Sequence, residues 1–508
     1  MGSINGKDTE VQDVEVVPTY VDEMNNESTE DLNLEDQPAN PDETLPISAE
    51  SEATIEDEDE DEAEYEYEDP IIKAVSRYVH AVNDVEDAMK AFVPMAFKIE
   101  EEQHVQIAEA YKEAERCASD ENPANRALSS SMFIKASRKA NRYVASQVPR
   151  TLVKSLFLNL FSDFDTFTGE LLIAIYNKKP ELFQSINKSV PLSDIVKCSD
   201  INQLKDRILL EEIETFRRKS YVEQFEILEQ KFGLKTIKKF NNWPKFVEAT
   251  QRRNLFMHCD AIVSEQYMKI CKENNCDLGD LEVGDKLEIK ATYFKETLNI
   301  MKEVAIKLAH VLWRKVLPEE REESDDALHN IVYDCLNEEN WNLAILIGDF
   351  VRNDARCGKE LMQRINIINL VIAQKFSGND KAAKKILGTL DWSASILDFR
   401  LAVAVLEDDF EHAAELMVRL GNSDNELLEE RAYLEWPLFK DFRQSHHFLT
   451  AYEKVFGYSF ITKMQESAHE FEKEVDEKQD NMIKEESKLQ TTFLDDQGVQ
   501  REEATPSA

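Results

Sequence analysis

The stretch IIKAVSRYVHAVNDVEDAMKAF, Ile71–Phe92, decides the fold class, because its apolar residues recur three and four positions apart, the spacing of one face of an α-helix. Working outward, the same period fills about 71–118, 124–146, 150–177, 201–232, 243–270 and 290–316, with glycine and proline sparse throughout. Alternating, strand-like segments are nearly absent. The exception is DLEVGDKLEI, where Gly284 and Asp285 are placed to turn a short hairpin. The expectation is an all-α protein.

The 508 residues suggest roughly three domains of about 150 each. Residues 1–70 hold 26 Asp or Glu against one basic residue, Lys7, and finish in EDEDEDEAEYEYED. That composition cannot repay the entropy of ordering, so a disordered acidic tail is expected there. It is read as a solubilising segment or as an internal polyanion that competes for a basic cleft. Residues 470–508 count 12 acidic against 5 basic residues and are expected to be a charged, flexible tail. The proline-containing, charged stretch LPEEREESDD, 317–326, is expected to be a linker between a helical domain at 71–316 and a second at 327–469. In the latter, three triplets share a spacing: Trp341, Ala344, Ile347; Asp380, Ala383, Ile386; and Phe410, Ala413, Leu416. Small residues at such points let paired helices approach closely, as in hairpin solenoids similar to tetratricopeptide repeats; an irregular helical bundle is the alternative. This block is expected to recognise a protein partner.

The two tails carry most of the net charge of −41, and residues 71–324 alone have 39 basic and 39 acidic residues. A locally basic groove fits that balance, and the acidic whole does not exclude a nucleic-acid partner. No apolar run reaches the roughly 18 residues of a membrane span, and no basic-then-apolar start marks a signal peptide. A soluble, cytoplasmic protein is expected. Seven cysteines are scattered, and the close pair Cys271 and Cys276 lacks ligands at metal spacing, so reduced thiols are expected, with no metal and no cofactor. A phosphate-binding glycine loop, a zinc helix and a serine-nucleophile elbow are also missing.

Chemistry concentrates in RRNLFMH, Arg252–His258. Asn241 and Asn242 offer a helix cap and Pro244 suits a first turn. On the helix that follows, Asn254 and His258 stack four residues apart, with Arg253 about 140° from His258 around the axis. Cutting RNA without a metal needs a group titrating near neutrality to take the 2′-hydroxyl proton and a cation to hold the phosphate as charge builds on it. His258 and Arg253 are suited to those roles, and Asn254 to orienting either one. A general acid for the 5′-oxygen is still required, and two copies facing each other would supply it. An arginine followed at once by asparagine and, after three intervening residues, by histidine is expected by chance in roughly one such chain in forty.

The segment RRNLFMHCDAIVSEQY resembles the signature helix of the HEPN superfamily, with Arg253, Asn254, His258, Val263 and Tyr267 matching its pattern. Ala261 stands where the family string often has glycine, and Cys259 where it often has asparagine. FDTFTGELLIAIYNKKPELF and EEIETFRRKSYVEQFEILEQKFGL are similar to the preceding helices of large HEPN proteins, and VGDKLEIKATYFKETLNIMKEV to the one that follows. The resemblance covers about 71–316. It implies a helical bundle that dimerises into one composite RNA-cleaving cleft, leaving 2′,3′-cyclic phosphates, with a toxin-like or defensive role. A noncatalytic HEPN module binding RNA or nucleotide and a helical interaction scaffold are the alternatives.

Further RNA contacts are sought in LKTIKKFNNWPK, where Lys238, Lys239 and Lys245 accompany Trp243 as a stacking surface, and in Arg252. A helix junction with its aromatics in the core is the other reading of that run. Glu248 is placed to pair with Arg252 four residues on. Arg138, Lys139 and Arg142 form a second basic patch, and His446 and His447 lack a ligand partner at useful spacing.

Overall fold

The computed structural model describes residues 69–468 apart from 145–146, 187, 199, 236 and 423–426, and among the described residues every named element is helical. Residues 1–68 and 469–508, read above as acidic and charged tails, lie outside the described residues. The first block comprises α1 (Pro70–Ala118), α2 (Pro123–Val144), α3 (Val148–Lys178), α4 (Leu192–Val196), α5 (Ile201–Arg217), α6 (Tyr221–Phe232), α7 (Trp243–His258), α8 (Glu265–Glu273) and α9 (Ala291–Val316). The second runs through α10 (Arg321–Asn337), α11 (Trp341–Asn353), α12 (Glu360–Phe376), α13 (Asp380–Leu387), α14 (Leu397–Leu406), α15 (Phe410–Leu420), α16 (Glu430–Glu435) and α17 (His446–Phe456).

The opening stretch does what its period demands. Ile71, Ala74, Val75, Tyr78, Val82 and Val85 bury one face of α1, and Asp69 caps its start by accepting from the amide of Ile71 at 2.7 Å. Of the expected tail, Pro70 thus opens the helix and Asp69 caps it. α3 is the aromatic spine, with Phe157, Phe161, Phe164 and Phe167 all buried. α9 is buried around much of its circumference, the mark of a central helix, and packs against α1, α3, α7, α10 and α11.

Two expected helices are each broken in two. The run 201–232 divides at Ser220, whose hydroxyl and Glu223 form a capping box that starts α6, satisfying amides that a continuous helix would have bonded internally. The run 243–270 divides after His258, where Asp260 and Ala261 take positive φ of 46° and 64°. The expected hairpin at Gly284 does not close on itself. Gly284 does turn the chain, at φ +99°, but the segment pairs with the link after α7. The Val263 amide donates to the Asp285 carbonyl at 2.8 Å, and the Leu287 amide to the Ala261 carbonyl at 2.9 Å. Among the described residues this leaves one isolated bridge, Ile262 with Lys286. A small second core of Leu255, Ala261, Val263, Tyr267, Cys271 and Leu287 forms behind it and braces the end of α7.

The stretch 317–326, expected to be a linker, is instead a 3₁₀ turn at Pro318–Glu320 running into α10. Two of its polar residues are enclosed: Ser324 meets the ring of His310 at 2.9 Å, and Asp325 pairs with Arg314 and accepts from the Gly358 amide. A single hydrophobic core extends from Ile71 to Tyr452 across this point. Beyond it the three triplets occupy α11, α13 and α15, each the second helix of a pair with α10, α12 or α14, and Ala344, Ala383 and Ala413 are buried at the approaches. The pairs share a turn. Glu339, Gly378 and Asp408 take positive φ, and the amides of Asn340, Asn379 and Asp409 donate to carbonyls five residues back, the Schellman pattern that ends one helix and starts the next.

Candidate functional site

α7 carries opposite chemistry on two faces. Asn242 precedes it without capping it; its side-chain amide donates to Glu303 at 2.7 Å. On the rear face Glu248, 8% exposed, accepts from Arg252 at 2.8 Å, from the Tyr267 hydroxyl at 2.7 Å and from the Tyr293 hydroxyl at 2.7 Å. Burial, followed by the Glu248 charge, pushes both phenols well above their ordinary range. Arg252 also lies 3.9 Å over the Tyr293 ring and donates to the Glu288 carbonyl at 3.1 Å. It is therefore an anchor inside the bundle, with its Nε and Nη1 engaged, and not the RNA contact expected. The expected Glu248–Arg252 pair is present.

The front face opens on a cleft of about 400 Å³ lined by Arg253, Asn254 and His258 of α7, by Arg217–Tyr221 at the α5–α6 junction, by Ser264 and Gln266 at the start of α8, and by Asp165 of α3. Arg253 donates to the Asn254 side-chain oxygen at 3.1 Å, so the asparagine orients the guanidinium. His258 ends α7 and is exposed at the cleft rim. Burial pushes the Asp165 carboxyl up, against the pull of the Tyr221 hydroxyl and of the Arg253 and Arg217 charges, and it pushes the Tyr221 phenol far up.

The structure brings Arg253, Asn254 and His258 together and separates them from the other candidates. Trp243 is 6% exposed, packed against Phe225, Phe240 and Phe246, with its indole donating to Asn274. No base can stack on it. Lys238 pairs with Glu226 and Glu229, and Lys245 with Glu296. Lys239 is exposed, outside the cleft lining. Arg138, Lys139 and Arg142 are exposed on α2. His446 and His447 are exposed at the start of α17, their ring centroids 6.0 Å apart.

Sequence reasoning missed Arg217 and Asp165. The signals were present: a basic run RRK directly before the Ser220 cap, and an acidic residue in the otherwise apolar face of FDTFTG. Among the described residues no group of three or more His, Cys, Asp or Glu side chains is placed to hold a metal ion, the seven cysteines are free, and no helix is long and apolar enough to cross a membrane. No family model, curated protein or solved structure matches the chain.

Proposed function

We propose that the chain is a HEPN-type endoribonuclease that cuts RNA without a metal, with the cleft on α7 as half of a site completed by a second copy. The observation that carries this reading is the convergence of Arg253, Asn254 and His258 on one open cleft. His258 accepts the proton of a 2′-hydroxyl, the 2′-oxygen attacks phosphorus, and the bond to the 5′-oxygen breaks. That oxygen takes its proton from His258 of the second copy, leaving a 2′,3′-cyclic phosphate. Arg253, held by Asn254, faces the charge that grows on the phosphoryl oxygens. The paired helices α10–α15 serve on this reading as a tetratricopeptide-like surface for a protein partner, and the cleavage as a toxin-like or defensive activity.

Among the described residues His258 is the one histidine lining the cleft of a single chain, which favours a second reading, a module that binds RNA and does not cut it. Purified chain with mixed RNA in EDTA separates the two. The expected result is cyclic-phosphate ends from the wild type and cleavage about 100-fold or more slower for His258→Ala and Arg253→Ala. Equal rates for wild type and both variants overturn the nuclease.

A further inference from the structure

Arg217 stands 36 positions before Arg253, on a different helix, yet both line the same cleft with Asp165 beside them. Its position is built. The guanidinium donates to the Thr166 carbonyl at 3.2 Å and lies across Gly169 of α3 so closely that a Cβ there would sit 1.9 Å from Nη2 and 2.6 Å from Cζ. Gly169 is in the interior of a helix, where glycine is the costlier choice than alanine, so what it supplies is the room for this side chain. Once seated, the group is left undersupplied with acceptors. Among the described residues neither Arg217 nor Arg253 has a carboxylate ion-pair partner, and the Nε of each is enclosed without an acceptor. Arg218 and Lys219 continue the cationic wall. Asp165, the carboxyl facing both guanidinia, is itself biased by burial toward its neutral form.

We propose that Arg217 is a second phosphate-holding residue of this cleft, so that Arg217 and Arg253 take oxygens of an RNA backbone from two helices, with Gly169 as the seat that places Arg217. Planar guanidinia match phosphate oxygens in pairs, and two of them on separate elements fix the direction of a strand where one only attracts it. The inference rests on the reading of the cleft as an RNA site, and not on cleavage there.

The test uses the full chain and a mixed-sequence 2′-O-methyl RNA, which lacks the attacking hydroxyl, with affinity followed by fluorescence anisotropy as salt is raised. Arg217→Ala is expected to bind about tenfold more weakly at low salt, with the salt slope reduced by about one. Gly169→Ala keeps every charge and displaces only the guanidinium; it is expected to weaken binding several-fold, and circular dichroism identical to wild type shows that the helices are intact. Wild-type affinity and slope for Arg217→Ala overturn the proposal, as does a wild type that does not bind the analogue. Cleavage of ordinary RNA with Arg217→Ala binding unchanged removes Arg217 and leaves the nuclease. The expected losses of binding with no cleavage of ordinary RNA remove the nuclease and leave the phosphate site.

Discussion

The two faces of α7 carry the same residue types to different ends. Behind the helix, Arg252 is held by Glu248, the Tyr293 ring and a backbone carbonyl. In front, the neighbouring Arg253 has an amide oxygen for company and an enclosed Nε with no acceptor. Sequence adjacency says nothing about this, because consecutive residues on a helix point about 100° apart. The difference teaches that charge satisfied inside the protein holds the helix, whereas charge left unsatisfied at its surface is available to a ligand.

The hardest way to break the comparison is through Glu248. Removing a buried carboxylate that serves one guanidinium and two phenols is expected to cost about 3–5 kcal/mol, so Glu248→Ala lowers the urea midpoint sharply. A midpoint near wild type denies the rear network its structural role. The front face answers in rate and not in stability: His258→Ala is expected to lose about 100-fold or more in cleavage with its unfolding midpoint unmoved. A parallel loss of stability would make His258 a structural residue. The arginines give the direct contrast. Arg252→Ala is expected to cost about 2 kcal/mol from its charged hydrogen bonds, while Arg253→Ala costs about 1 kcal/mol or less, since it gives up one hydrogen bond to Asn254 and removes an enclosed Nε that has no acceptor.

Asp165 sharpens the comparison through pH. Burial holds its folded carboxyl protonated to higher pH than in the unfolded chain. Its charge therefore costs stability once the pH rises above the unfolded range near 4, and costs nothing below it. Asp165→Asn is expected to raise the urea midpoint at pH 7, with the gain gone by pH 3; a gain independent of pH contradicts the assignment. The smallest effect belongs to Ala261, at φ 64° in the link that braces His258. Left-handed backbone strains any residue with a Cβ, so Ala261→Gly is expected to stabilise by about 0.5–1 kcal/mol, less what the buried methyl contributes. Equal or lower stability for the glycine variant shows the methyl outweighing the strain.

Much of this was legible because it is local. The three- and four-residue period of Ile71–Phe92 names the helix and its buried face, and the four-residue spacings pair Asn254 with His258 and Glu248 with Arg252 without reference to any tertiary contact. Ala261, where the resemblance leads one to expect glycine, turned out to occupy the backbone conformation that glycine relieves. The misreadings share a cause. Trp243 as a stacking surface among lysines and LPEEREESDD as a linker both take composition as a sign of exposure, whereas the other reading of the first, a helix junction with its aromatics in the core, agrees with the structure. The first fills the core beside Phe246, and the second buries Ser324 and Asp325 against His310 and Arg314, because partners distant in sequence satisfy them.

By itself, then, the amino-acid sequence determined the helical class and the shared face of Asn254 and His258, since both follow from the geometry of one helix. Tertiary structure decided which arginine is anchored within the bundle and which lines the cleft, where α7 stops, and that Arg217, seated against Gly169, lines the same cleft as Arg253. Those outcomes depend on which surfaces meet, and burial with its hydrogen-bond partners, not spacing along the chain, sets the chemistry a charged side chain has left to offer.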